Sequence, residues 1–374
     1  MLEAILYILY AVLLGIFILG VVRLRYAFAH FQMKPHTKTP IELRDMPSVT
    51  VCIPARNEGH VMSDALEQVI ASTYPKLEII VLDDLSGDTT SALIKAYAHE
   101  GVRFVEGTRL PDGWLGKNHA LQGLLREASG TYVLFMDIDT RLAPDSIEQL
   151  VAYAQREKAA MVSVLPRRED GPRASVIFSS LRYFWEIMFH SAGSPATASN
   201  AWLIHRQTLL DRWQGFVSFK DVVRPESRIA AALMANGRYR FLIGTEALGV
   251  SYEKKWRSQL LTSVRLIFPL LQMKPAHAII AALDLLILAA PLWIVGSVFF
   301  VGFTINQLIA AIFIMLFAGL YATYLRKVWS HGWLIGGLAW SLIVLQEAIL
   351  VMASAILYSK KAVTWKGRLV KAPK

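Results

Sequence analysis

The spacing of apolar positions changes twice along the chain, and each of the three patterns predicts a different kind of element. Residues 2–22 are apolar apart from Glu3, a run long enough to cross a bilayer. A basic flank of Arg23, Arg25, His30, Lys34, His36 and Lys38 follows, with no small-residue cleavage site before it. That predicts a retained transmembrane helix (1–23) and a basic linker (24–47, with Pro40 and Pro47) rather than a cleaved signal peptide. From Ser48, short continuous apolar runs alternate with helical spacing. Strands are predicted at 49–54, 77–82, 102–105 and 132–136, and helices at 59–72, 89–99 and 118–128. This alternation predicts an α/β fold with a mostly parallel, Rossmann-like sheet whose strands are buried on both faces. A further strand is expected at 161–165. A helix is expected at 225–235, with Pro225 in its first turn and Gly237 just past its end. Residues 175–189 are amphipathic and rich in Trp, Tyr, Phe and Met.

Beyond about residue 257 the pattern lengthens again. Residues 259–273 are apolar but carry Arg265 and Pro269, which predicts an interfacial segment (258–276) lying along a membrane. Three spans are predicted within 277–358, at 278–301, 305–325 and 333–358. The linker at 302–304 is uncharged, whereas the next carries Arg326, Lys327 and His331 and is expected in the cytoplasm. The tail (359–374) is basic through Lys360, Lys361, Lys366, Arg368, Lys371 and Lys374. Three spans after a cytoplasmic domain put that tail outside, while its charge argues for inside; both readings stay open. The expectation is a multi-pass protein of the cell (plasma or inner) membrane, with a 48–257 domain on the cytoplasmic side.

Composition adds constraints. The chain has 374 residues, 54% hydrophobic, with 39 basic against 29 acidic side chains, a net charge of +10. A basic balance suits nucleic acid, anionic headgroups or phosphorylated substrates. Nucleic acid is excluded as a partner because no recognition module and no zinc-ligand spacing are present. The single cysteine, Cys52, lies in an apolar strand and reads as a small core residue.

Four polar patterns fall at the carboxyl ends of predicted strands or the start of a helix. Pro54-Ala55-Arg56-Asn57-Glu58 follows the first strand, and Asp83-Asp84-Leu85-Ser86-Gly87-Asp88 follows the second. Gly113-Trp114-Leu115-Gly116-Lys117-Asn118 enters the third helix, and Asp137-Ile138-Asp139 closes the fourth strand. Ligands bind at the carboxyl ends of strands in open α/β sheets. Residues two apart on an extended chain point the same way, so Asp137 and Asp139 would need a cation between them. Mg²⁺ or Mn²⁺ suits hard carboxylate oxygens. Lys117 and the helix amino end could both face a phosphate. No Gly-x-Gly-x-x-Gly follows the first strand, so the usual dinucleotide fingerprint is missing.

The order Pro-x-x-Asn-Glu, Asp-Asp-x-Ser, Gly-Trp-x-Gly-Lys and Asp-x-Asp resembles family 2 glycosyltransferases. The membrane-anchored subgroup that glycosylates carotenoid, other polyisoprenoid or ceramide-type lipids looks most similar, through Gly-Trp-x-Gly-Lys and the tail Thr364-Trp365-Lys366-Gly367-Arg368. The resemblance implies a GT-A fold, a nucleotide-sugar donor such as a UDP-sugar, a lipid acceptor, a divalent metal and inversion at the anomeric carbon. Carried over, Asp84 would meet the base, with Asn57 and Glu58 at the ribose and Pro54, Asp83 and Lys117 elsewhere around the donor. Asp137 would touch ribose or metal, and Asp139 would hold the metal. The general base such a reaction needs falls on Glu226 by its spacing before Gly237, or on Asp221 by residue type. Trp256 and Lys255 would face the acceptor or membrane side. Tyr252 stands where the acceptor-clamp motif of processive relatives has Gln or Arg, which argues against a polysaccharide synthase. That synthase and a non-catalytic membrane protein of the same fold are the alternatives. Glu347, inside the last predicted span, is expected to have a paired or functional role.

Overall fold

The structure, a computed structural model, describes residues 2–33, 46–171, 173, 177–178, 181–253, 256–329, 331–365 and 368–370. Lys34, His36, Lys38, Pro40, Lys255, Lys366, Gly367, Lys371 and Lys374 lie outside the described residues. In chain order the first elements are α1 (Leu2–His30), β1 (Val49–Ala55), α2 (Gly59–Ile70), β2 (Leu77–Asp83), α3 (Thr90–Ala96), β3 (Val102–Glu106), α4 (Gly116–Glu127) and β4 (Tyr132–Met136). Then come β5 (Thr140–Leu142), α5 (Ser146–Arg156), β6 (Met161–Leu165), β7 (Arg167–Arg168), α6 (Arg182–Met188), β8 (Ala201–His205), α7 (Arg206–Trp213), α8 (Pro225–Met234), β9 (Tyr239–Ile243) and β10 (Val250–Tyr252). The remainder comprises α9 (Trp256–Leu270), α10 (Pro275–Gly296), α11 (Val298–Val301), α12 (Ile305–Val328), α13 (Trp333–Leu338), α14 (Trp340–Ser359), β11 (Thr364–Trp365) and β12 (Arg368–Leu369). The chain divides into an α/β unit (Phe31–Arg168 and His190–Glu253) and a helical unit (Met1–His30, Glu169–Phe189 and Lys254–Ala372).

The α/β unit is built on a seven-stranded sheet in the order β3-β2-β1-β4-β8-β6-β9. The first four strands pair in parallel through helical crossovers, as the alternating pattern predicts. All five β4 residues are buried, as expected of a strand covered on both faces. Ala55, Asp83 and Glu106 are in register at one edge of the sheet, which sets the turns after β1, β2 and β3 beside each other. In the other half, β6 lies at the 161–165 run expected of it, whereas β8 and β9 were not visible in the apolar pattern. β8 enters antiparallel between β4 and β6, pairing Met136 with Ala201 and Tyr132 with His205. It starts beside the end of β4 that carries the carboxylates and runs away from it. A smaller sheet, β5-β10-β7, follows that turn. Cys52 is fully buried in β1, in the role expected of it. Gly237 adopts a left-handed φ of 67° beyond α8, which explains why the helix stops there.

Among the described residues, four helices of the other unit are long and apolar enough to cross a membrane: Glu3–His30, Pro275–Val301, Ile305–Val328 and Trp340–Ser359. Their bounds correct the sequence reading in two places. The first helix does not end near residue 23 but runs to His30, because no glycine or proline interrupts it between Val21 and His30. The last predicted run, 333–358, is broken at Ala339 into α13 and α14. The paired glycines Gly336 and Gly337 explain the break. A Cβ on Gly337 would lie 2.6 Å from Ala322 Cβ, so glycine permits close approach to α12 while weakening the helix. The 259–273 segment is helical to Leu270, as part of α9, which contains Pro269, and ends in a turn.

Glu347 is buried on α14 and accepts a hydrogen bond from the Leu181 backbone N–H. Its neighbour Gln346 donates from Nε2 to Phe178 O at 3.1 Å, and Trp329 donates from Nε1 to Asp170 O at 2.8 Å. These bonds tie the Glu169–Phe189 segment to the helices of its own unit. They give Glu347 the partner that the sequence could not show.

Candidate active site

The first two motifs fold onto one another. Asn57 has a left-handed φ of 52°, which asparagine tolerates. Its Oδ1 accepts from Gly87 N at 2.9 Å, and its N–H donates to Ser86 Oγ at 2.9 Å. Glu58 N donates to Thr90 Oγ1 at 2.8 Å, and Gly59 N to Asp88 Oδ2 at 3.1 Å. Asp88 thus satisfies a donor at the start of α2. Burial raises the Asp88 pKa, but hydrogen bonds from the Thr90 hydroxyl, Thr90 N–H and Gly59 N–H outweigh it and hold the carboxyl below its ordinary value.

Asp83 and Asp84 are both buried at the end of β2. Asp83 Oδ1 accepts from the Ser86 N–H and hydroxyl. Arg56 Nη1 donates to the carbonyls of Asp84 and Leu85 and lies 4.0 Å from Asp84 Oδ2. Pro54, one step inside β1, is in register with Leu82. The two loops therefore form one hydrogen-bonded shelf over adjacent strand ends.

The third and fourth motifs meet directly. Lys117 Nζ donates to Asp137 Oδ1 at 2.6 Å. The geometry after β4 differs from the extended chain expected. Thr140 N donates to Asp137 O at 3.0 Å, which closes a tight turn over Asp137-Ile138-Asp139. Ile138 is buried in the hydrophobic core while Asp137 and Asp139 on either side are half-buried. The turn is fixed from outside as well. Asn200 O accepts from Asp137 N at 2.8 Å and from Thr140 Oγ1 at 3.0 Å, and Arg141 Nη1 donates to Ile138 O at 2.8 Å.

The two candidate bases occupy unlike environments. Glu226, in the first turn of α8, is 4% exposed, and its Oε1 accepts from Arg224 Nε at 3.1 Å. Arg224 is also buried and donates from Nη2 to Thr197 Oγ1 at 2.6 Å. Asp221 is exposed, in a turn closed by Val222 N donating to Phe219 O at 3.0 Å. That turn is bonded to the start of α4: Leu115 N donates to Lys220 O at 2.7 Å, and Asn118 Nδ2 lies 2.6 Å from Phe219 O. Asp221 is therefore tied to the helix end that carries Lys117, whereas Glu226 is held by Arg224. Trp256, 44% exposed, opens α9 in the helical unit, so it belongs to a different body from the carboxylates. Arg56 and Asn118 stand inside the motifs, and Arg224 two residues before Glu226, without a part assigned to them from the sequence; Arg141 and Asn200 were not singled out. Only Arg56 and Asn118, inside recurring motifs, carried any local signal.

A parallel β3-β2-β1-β4 half-sheet with an Asp-x-Asp turn closing its fourth strand, and long apolar helices outside it, is the layout of a GT-A fold with hydrophobic helices. The chain matches the family described as Glycosyl transferase family 2 over residues 50–208. It is 31% identical over 139 residues to the 4,4'-diaponeurosporenoate glycosyltransferase of Staphylococcus aureus (strain N315), a match spanning 36% of each chain. To the enzyme of the same name from Staphylococcus aureus (strain USA300) it is 33% identical over 122 residues, 32% of each. The chain thus matches about a third of the length of these relatives. Its fold is also that of a mannosyltransferase from Pyrobaculum calidifontis solved with GDP-Man and Mn²⁺, at a TM-score of 0.58 and 22% identity, over 96% of this chain and 98% of that one.

Proposed function

We propose that this protein is a membrane-bound, inverting glycosyltransferase that moves a sugar from a nucleotide sugar to a lipid acceptor. The observation that carries the reading is the 2.6 Å contact between Lys117 and Asp137, set at the end of β4 beside Asp139. Breaking the bond between sugar and diphosphate leaves negative charge on the nucleoside diphosphate. Lys117 supplies positive charge for it within the site, and the shelf formed by Asn57, Glu58, Asp83 and Asp84 receives the nucleoside.

The donor set fits a hard divalent cation. Asp137 and Asp139 offer carboxylate oxygens, and no group of three His, Cys, Asp or Glu side chains able to hold a metal occurs among the described residues. A cation that keeps water and phosphate oxygens among its ligands, as Mg²⁺ or Mn²⁺ does, suits such a site. Asp139, with Asp137 beside it, would hold that cation, which when bound neutralises the diphosphate. For the base, exposure favours Asp221: it is open to an acceptor hydroxyl, whereas Glu226 is buried against Arg224. The four long apolar helices support an acceptor taken from a membrane, and the partial likeness to carotenoid glycosyltransferases makes a polyisoprenoid-derived lipid the first candidate. A cytoplasmic α/β unit follows from the basic residues after the first helix.

The test is to incubate membranes containing the full chain with labelled UDP- and GDP-sugars and identify the lipid product by mass spectrometry. A lipid carrying one sugar, absent with Asp139→Ala, is expected. A polymeric product would overturn the single-transfer reading, and full activity of Asp139→Ala would overturn the mechanism.

A further inference from the structure

We infer that Asn118 and Gln122, two amides one turn apart on α4, are positioning residues that hold Asp221 where it can take the acceptor's proton; this rests on reading Asp221 as the base. Residues four apart on a helix share a face. Both side chains are buried, at 2% and 6% exposure, on a helix whose other buried residues are mostly Ala, Leu and Gly. Apolar side chains would be enough to pack that face. The amides instead bond the backbone of one loop, 215–222.

Asn118 Nδ2 reaches three carbonyls of the turn that holds Asp221: Phe219 O at 2.6 Å, Val222 O at 2.8 Å and Lys220 O at 3.4 Å. Gln122 Oε1 accepts from Phe216 N at 2.6 Å. The loop is shaped to meet it, because Gly215 has a φ of +77° and a Cβ there would lie 2.5 Å from Gln122 Oε1. Val217, Ser218, Lys220 and Asp221 are exposed, and the loop is anchored by the buried rings of Phe216 and Phe219, by the Leu115 N–H to Lys220 O bond and by the two amides, which bond the backbone on either side of those rings. Lys117, the residue before Asn118, bonds Asp137. One helix end therefore fixes the base loop and the diphosphate side of the site in a common frame.

In the transfer, the acceptor oxygen bonds to the anomeric carbon and the bond from that carbon to the diphosphate oxygen breaks. The electron pair leaves with the nucleoside diphosphate, and the hydroxyl proton passes to the Asp221 carboxylate. Azide attacks the same carbon without a proton to lose. A variant whose defect is the placing of the base should therefore lose transfer to a hydroxyl and keep transfer to azide.

The experiment uses the full chain in phosphatidylglycerol vesicles, the nucleotide sugar found in the screen above, and dodecanol or sodium azide as acceptor. Asn118→Ala and Gln122→Ala should lower kcat for dodecanol by at least about tenfold. The donor KM, nucleoside-diphosphate binding by calorimetry and the rate of glycosyl azide formation should stay within about twofold. Gln122→Glu, which keeps an oxygen for the Phe216 N–H, should restore the rate lost in Gln122→Ala. The inference is overturned if Asn118→Ala keeps its dodecanol rate while Asp221→Asn loses it. It is also overturned if both nucleophiles slow together. Retention of dodecanol transfer by Asp221→Asn would instead remove Asp221 as the base.

Discussion

Lys117 and Asp137 are joined by a 2.6 Å hydrogen bond, so the cation of one sequence motif is set against the first carboxylate of the next. Both side chains keep about a quarter of their surface in solvent. A pair that exposed adds less than about 1 kcal/mol to stability. Lys117→Ala should therefore move Tm by no more than about 3 °C. Its affinity for the nucleoside diphosphate should fall about tenfold or more, because a charged donor to phosphate is lost. Calorimetric titration beside a thermal melt checks both halves.

Chelation separates the cation's part from that of the protein. Treatment with EDTA should abolish nucleoside-diphosphate release from the donor, and Mg²⁺ or Mn²⁺ should restore it. Asp139→Ala should match the chelated protein in rate and recover nothing on metal addition. An equilibrium dialysis with Mn²⁺ and nucleoside diphosphate should show loss of co-bound metal in that variant.

The two candidate bases should differ in what their loss damages. Glu226 and Arg224 form a buried ion pair, and breaking one side of such a pair costs about 3–5 kcal/mol. Glu226→Gln should lower Tm clearly. Asp221→Asn should leave the melt unchanged and reduce kcat by about a hundredfold or more, the usual effect of removing general-base catalysis. A Glu226→Gln protein with wild-type stability and no activity would reverse these assignments.

Glu78 gives an acid-side prediction. Burial raises its pKa, but hydrogen bonds from Thr50 Oγ1, Ser129 N–H and hydroxyl, and Arg103 prevail and bring it below its ordinary value of 4.5. A carboxyl depressed in the folded state stabilises the protein above its unfolded pKa, and that contribution is lost as pH falls through the folded value. Wild type should therefore be more stable than Glu78→Gln at about pH 7, with the gap closing below about pH 4. Melts from neutral to acid pH follow the difference directly.

The half of the fold formed by consecutive strands was legible because each strand is a short apolar run and each crossover a helical one. Val49–Ala55, Leu77–Asp83 and Tyr132–Met136 lie where their pattern puts them. The candidate site was legible to the extent that its parts sit in short motifs at strand ends. What stayed hidden depends on partners far away in sequence. Nothing around Asn200 indicates that its carbonyl braces the Asp137 turn. Nothing around Phe219 indicates that its carbonyl meets Asn118. The spacing that favours Glu226 as the base is blind to Arg224, whose effect depends on burial. The break at Ala339 was missed because an apolar run alone does not report how closely Gly336 and Gly337 approach α12.

The Glu169–Phe189 segment leaves the α/β unit between β7 and β8 and is held in the helical unit by Gln346, Glu347 and Trp329. Trimming the long apolar helices from both ends would therefore not yield a water-soluble fragment for crystallisation or assay. An excised 31–253 piece would carry a sticky internal insert cut off from its anchors. A shorter loop replacing that insert, joining Arg168 to His190, is the cleaner route to such a fragment.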